Sequence, residues 1–305
     1  MSVHLLVAGI LINSINLVLH SIGITLLRSL HKTKLKGDFT TLLINLSINE
    51  WLFSLVVIIK NTAKLSAENE ANTENKLAEY LAIIELTGLG VVYYFLMIYI
   101  PLYRLAKMLL GMKYSAYWSS KRMVNLCICT WSFGAFIYVI ITIMYRYYEL
   151  DYVTLFYKYV YPPIEIIFLA LSVTTYVYIY KKVSKSMTRL KNYKEDKKKY
   201  KSEIIAKFYI PTLLIISFII FMIVPDLIVL IYFIVLQKYS PTVDALVTMM
   251  YAISLTVDAL IYIFGQKEVR QALLSKICCY FRRNQINDRC QSRSDVFTVA
   301  SKCTL

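Results

Sequence analysis

Twenty-three residues, Leu81 to Tyr103, carry one charge between them, Glu85, and the next residue is Arg104. The 19 residues from Glu85 to Arg104 make about 28 Å of α-helix, close to the thickness of a bilayer's hydrocarbon core. A helix there sets a carboxylate near one membrane face and a guanidinium near the other. Six further apolar stretches flank it: about 5–27, 39–60, 123–145, 159–179, 208–236 and 243–264. The expected fold class is therefore an all-α membrane protein, a seven-transmembrane helix bundle over 5–264. A short N-terminus (1–4) precedes it, and an amphipathic segment (265–277) and a tail (278–305) follow.

Composition agrees. The chain is 58% hydrophobic with a net charge of +15 over 305 residues, and soluble domains sit nearer half apolar. Four clusters, around 28–36, 104–122, 181–207 and 267–302, hold 28 of the 34 Lys and Arg. With seven crossings these clusters fall on one side, so the positive-inside rule predicts an outside N-terminus. That distribution speaks for anionic headgroups and against a nucleic-acid partner. None of the six cysteines falls in an expected outer loop, so no extracellular disulfide is predicted. The chain does not open with a basic start and a small-residue cleavage site, and its first span is expected to insert as an anchor. The tyrosines between Tyr145 and Tyr161 read mostly as a headgroup-level belt. Glycine-rich phosphate loops, metal-spaced His and Cys, and Ser/His/Asp sets are missing. No enzymatic activity, cofactor or metal is expected.

Several stretches resemble the rhodopsin-like (class A) G-protein-coupled receptors. Tyr103-Arg104-Leu105-Ala106, followed by Met112-Lys113-Tyr114, is similar to their third helix and second inner loop, with Tyr103 where the family has an acid. Asn45-Leu46-Ser47-Ile48-Asn49-Glu50 resembles their second-helix motif, with Glu50 for aspartate, and Trp131 stands 27 residues after Arg104. Asp258-Ala259-Leu260-Ile261-Tyr262 resembles Asn-Pro-x-x-Tyr, and 265–274 resembles their eighth helix. Pro225 matches the sixth-helix proline, without the usual tryptophan before it.

The resemblance implies a plasma-membrane receptor that couples an extracellular small-molecule or peptide ligand to a heterotrimeric G protein. It implies a switch of Arg104, Tyr176 and Tyr262, with Met112 as the apolar plug of the second inner loop, and membrane lipids as further partners. Cys278 and Cys279 lie where juxtamembrane cysteines are often palmitoylated. The alternatives are a receptor-like partner protein that does not couple, and a seven-span protein that translocates ions or protons.

Two sets of polar residues stand out by depth. Glu85, Glu165 and Asp226 each lie about 24–28 Å of helix from the basic end of their own span. Intramembrane acids face the bundle interior, and without an evident cationic partner they suit a cationic amine or basic peptide. His20, Glu50 and Asp258 lie roughly 12–21 Å in from the same boundary. They align with positions that meet around a sodium site in the resembling family. Two carboxylates and a histidine there predict a proton-sharing cluster. Tyr93, where the family has a small sodium ligand, favours a hydrogen-bonded knot over sodium.

Overall fold

The computed structural model describes residues 3–33, 38–69, 76–114, 119–149, 151–189, 210–236, 241–265, 269–271 and 273–275. Among them are seven helices long and apolar enough to cross a membrane: Val3–Ser29, Phe39–Ser66, Lys76–Leu110, Lys121–Tyr148, Phe156–Lys182, Ile210–Tyr232 and Leu246–Gly265. The chain is a multi-pass, all-α bundle, and no strand occurs among the described residues. These seven are called spans one to seven below.

The bundle is apolar outside, and its largely apolar core also encloses a set of buried polar groups. Leu11, Val18, Phe136, Ile166, Val173 and Ile231 all face outward and are at least 60% exposed. Asn16, His20, Ser47, Glu50, Ser54, Thr87, Ser254 and Asp258 are wholly buried. Water would penalise that outer face, whereas lipid accepts it and drives polar groups inward to find partners. Span three is the hub. Its most apolar window is 67% buried, against 22% for span four, and it packs on spans two, four and five.

Three spans leave the regular α-helix for a π-turn, at Ile84–Leu89, Phe156–Val160 and Ile219–Ile223. Two of these turns sit beside prolines. Pro162-Pro163 and Pro225 have no N–H to give and crowd the preceding turn. In each turn the following residue's N–H reaches five residues back: Gly90 to Glu85, Tyr161 to Phe156 and Val224 to Ile219. Span three ends at Gly111, whose φ of 53° needs a glycine. Span four starts under a Ser119 cap that accepts from the Arg122 N–H at 3.4 Å.

The connection after span four is short. Helix resumes at Tyr152, and the tyrosines divide by side. Tyr147, Tyr148 and Tyr159 are 60–76% exposed, whereas Tyr157 and Tyr161 are buried. The belt expectation is therefore corrected for Tyr157 and Tyr161, because the π-turn at Phe156–Val160 rotates them into the bundle. Of the amphipathic segment 265–277, the described residues after Gly265 are helical. Val269 is buried and Leu273 packs on the same core, one turn apart. Cys278, Cys279 and the tail lie outside the described residues.

Candidate functional site

The structure brings His20, Glu50 and Asp258 together in one buried group. The His20 Nε2 lies 3.1 Å from the Leu255 carbonyl, which can only accept, so Nε2 carries the hydrogen. The other ring nitrogen, Nδ1, is 3.0 Å from Ser47 Oγ and 3.4 Å from Glu50 Oε2. Tyr262 donates to Glu50 Oε1 and Tyr93 donates to Asp258 Oδ2, each at 3.0 Å. The two carboxyl groups adjoin one another. Glu50 Oε2 and Asp258 Oδ1 have no hydrogen-bond donor. Two adjoining carboxylates away from water repel, and a single proton on the pair would relieve that repulsion. Among the described residues, no three His, Cys, Asp or Glu are arranged to hold a metal ion.

A second acid group lies toward the Glu85 end. Asp226 is embraced by two tyrosines: Tyr94 of span three donates to Oδ2 and Tyr251 of span seven to Oδ1. The Tyr94 hydroxyl also lies 2.9 Å from Glu165 Oε1. A hydroxyl has one proton to give, so the set Glu165–Tyr94–Asp226 closes only when one acid donates as well. Asp226 thereby ties spans three, five, six and seven together, right beside Pro225.

Next to this group a cavity of about 240 Å³ opens. Its polar wall is an ion pair, Lys60 with Glu85, with Lys64 one helical turn further along. Phe53, Tyr94, Tyr161 and Tyr251 supply much of the rest. Each π-turn contributes to the wall: Glu85 and Leu86 from the first, Tyr157 from the second and Met222 from the third. The first turn shows why. The Gly90 N–H takes the Glu85 carbonyl, which relieves the Leu86 carbonyl of its α-helical partner. Tyr161 donates to that Leu86 carbonyl instead. A Cβ on Gly90 would overlap the Tyr161 hydroxyl, so the glycine permits the approach.

At the other end, Arg104 lies over the Phe39 ring at 5.5 Å. Tyr103 stacks on the same ring at 5.4 Å and meets Tyr114 edge-on at 5.7 Å. Tyr176 donates to Thr212 at 2.7 Å, tying span five to span six. Lys182 donates to the Met108 carbonyl at 2.5 Å and Thr175 to the Pro101 carbonyl at 3.3 Å, tying span five to span three. Trp131 donates to Asn45 at 3.3 Å. The Met112 side chain lies outside the described residues.

The acids expected to stand without a cationic partner need correction. Lys60 pairs with Glu85, because its long side chain reaches back along the bundle to a carboxylate that burial would otherwise leave uncompensated. Tyr94 holds both Glu165 and Asp226 and Tyr251 also holds Asp226, and of the three acids only Glu85 lines the cavity. Sequence reasoning missed Lys60, Tyr94 and Tyr251. A lone lysine at the far end of an apolar span was a signal for Lys60. The two tyrosines were masked by the chain's 26, though a mid-span tyrosine calls for a hydroxyl partner. Comparison of the chain with protein-family models and with curated proteins finds no match.

Proposed function

We propose that the chain is a rhodopsin-like receptor of the plasma membrane with its N-terminus outside, reporting occupancy of the Lys60–Glu85 cavity to a heterotrimeric G protein at the Arg104 end. The observation that carries this reading is the path along span three. Tyr94 walls the cavity and holds Asp226, its neighbour Tyr93 holds Asp258 of the buried cluster, and Arg104 lies further along the same helix. A ligand pressing on Tyr94 and Tyr251 acts on Asp226, which sits where Pro225 and the π-turn weaken span six. Span six then swings about that bend and pulls Thr212 from Tyr176. A cleft opens beside Arg104 for the G protein. The motif resemblances at Arg104, Glu50, Tyr262 and 265–274 support the same reading.

A guanine-nucleotide exchange assay tests it. Membranes carrying the chain should accelerate exchange on at least one class of heterotrimer, and Arg104→Ala should reduce this at least tenfold. Exchange that never exceeds that of empty membranes on any class rejects coupling and leaves the non-coupling partner.

One observation favours a second reading, proton translocation: two buried acid groups lie at successive depths, one bonded by Tyr93 and the other by its neighbour Tyr94. Liposomes holding the purified chain would then dissipate an imposed pH gradient, and Asp258→Asn would stop the leak.

A further inference from the structure

The cavity wall is not an isolated acid but a row of alternating and repeated charge, Glu85, Lys60 and Lys64. A ligand with only a positive charge meets a carboxylate already neutralised by Lys60. To bind, it must displace that lysine or sit beside two lysines. A ligand with only a negative charge gains the lysines but is held close to the Glu85 carboxylate. A small zwitterion satisfies all three: its carboxylate lies against Lys60 and Lys64, its ammonium against Glu85. Lys60 and Lys64 are neighbours at i and i+4, with Cβ atoms about 5–6 Å apart, a spacing that lets one carboxylate touch both. An ammonium has three N–H donors, so Lys60 keeps donors for a ligand after bonding Glu85.

The remaining wall selects the ligand's body. Tyr94, Tyr161 and Tyr251 direct their hydroxyls to Asp226 and the Leu86 carbonyl. What they leave to the cavity is ring surface, joined by Phe53 and Met222. Rings favour apolar or aromatic groups and take a cation on their faces. Drug-sized ligands occupy sites of roughly 300–1,000 Å³, so this occupant is smaller.

We propose that the Lys60–Glu85 cavity binds a small zwitterion with an apolar body, of the chemical class of a free α-amino acid. The proposal deepens the receptor reading by naming its ligand class, but the binding itself stands on the cavity alone.

The test is direct binding to the purified full chain in lipid nanodiscs, by calorimetry and by ligand-induced thermal shift. The probes are the twenty common amino acids. For phenylalanine, the singly charged analogues 2-phenylethylamine and 3-phenylpropanoate are added. At least one apolar or aromatic amino acid should bind saturably, and at least tenfold more tightly than its amine or acid analogue. The double variant Lys60→Met/Glu85→Gln should lose that preference while unfolding cooperatively. A second variant, Lys64→Met, leaves the ion pair intact and should weaken the carboxylate-bearing probes by threefold or more. Equal binding of 2-phenylethylamine returns the site to cations, equal binding of 3-phenylpropanoate makes it an anion site, and no saturable binding of any amino acid by 10 mM overturns the proposal. Amino-acid binding without nucleotide exchange rejects the receptor reading alone, and exchange without amino-acid binding rejects the zwitterion alone.

Discussion

Tyr93 and Tyr94 are consecutive residues with rings 6.5 Å apart and nearly perpendicular, yet they serve two different acid groups. Tyr93 donates to Asp258 on span seven, and Tyr94 reaches Asp226 on span six and Glu165 on span five. Successive residues of a helix point about 100° apart, so one turn of span three addresses both groups.

Sharing a partner should show as non-additivity. Tyr94→Phe and Tyr251→Phe each remove a hydroxyl from the same Asp226. Each should cost about 1–3 kcal/mol of stability, with a coupling of at least ~0.5 kcal/mol in the double variant. Tyr93→Phe and Tyr251→Phe act on different acids and should add within about 0.5 kcal/mol. Unfolding midpoints of the three single variants, the two double variants and wild type in nanodiscs measure this, and equal coupling in both pairs contradicts the two-group geometry.

Breaking the Lys60–Glu85 pair from one side should cost more than removing it. Lys60→Met leaves a carboxylate in a mostly buried site and should destabilise the chain by about 3 kcal/mol, the low end for a broken buried pair because the cavity admits water. Lys60→Met/Glu85→Gln should recover at least half of that loss. If the double variant unfolds no later than Lys60→Met, the pair is not what compensates Glu85.

Gly90→Ala introduces a methyl where the Tyr161 hydroxyl lies. The clash should lower stability by about 1–3 kcal/mol. Tyr161→Phe in the same chain removes the hydroxyl and should restore part of it, though the Leu86 carbonyl then loses its donor. Thermal unfolding with no rescue contradicts the account of the first π-turn.

The proton shared by Glu50 and Asp258 gives a pH dependence of definite sign. Loss of a proton held by this pair would leave two adjoining carboxylates away from water, so the account predicts that the wild-type core loosens as the pH is raised. Glu50→Gln or Asp258→Asn removes one of the repelling acids and should flatten that slope, with His20→Asn reducing it. The readout is unfolding midpoint and basal signalling at each pH, with sodium varied. A flat pH profile with strong sodium dependence contradicts the proton.

Much of the architecture was legible in the sequence, because membrane spans are long and uniformly apolar and intramembrane charges are few. The depth of His20, Glu50 and Asp258 could be counted from the basic ends of their spans, and the structure brings those three residues together. Glu85, Glu165 and Asp226 were equally legible as a depth, but depth does not give the direction a side chain faces. The π-turns decide that. Each shifts the residues beyond it around the helix, and at the second Tyr157, within the turn, and Tyr161, just after it, are both buried. Prolines announce two of the turns, and nothing local announces the one at Ile84–Leu89. Lys60 was hidden for another reason: it closes the apolar stretch 39–60, a position where a lysine ordinarily marks an interface.

The most direct test of the central claim is guanine-nucleotide exchange on purified heterotrimers by the purified chain in nanodiscs, compared with Arg104→Ala and with Tyr94→Phe. Wild type should accelerate exchange, Arg104→Ala should lose at least tenfold, and Tyr94→Phe should change the basal rate although it lies far from the G protein's side. Exchange at the rate of empty nanodiscs with every heterotrimer class, or a rate indifferent to both substitutions, contradicts it.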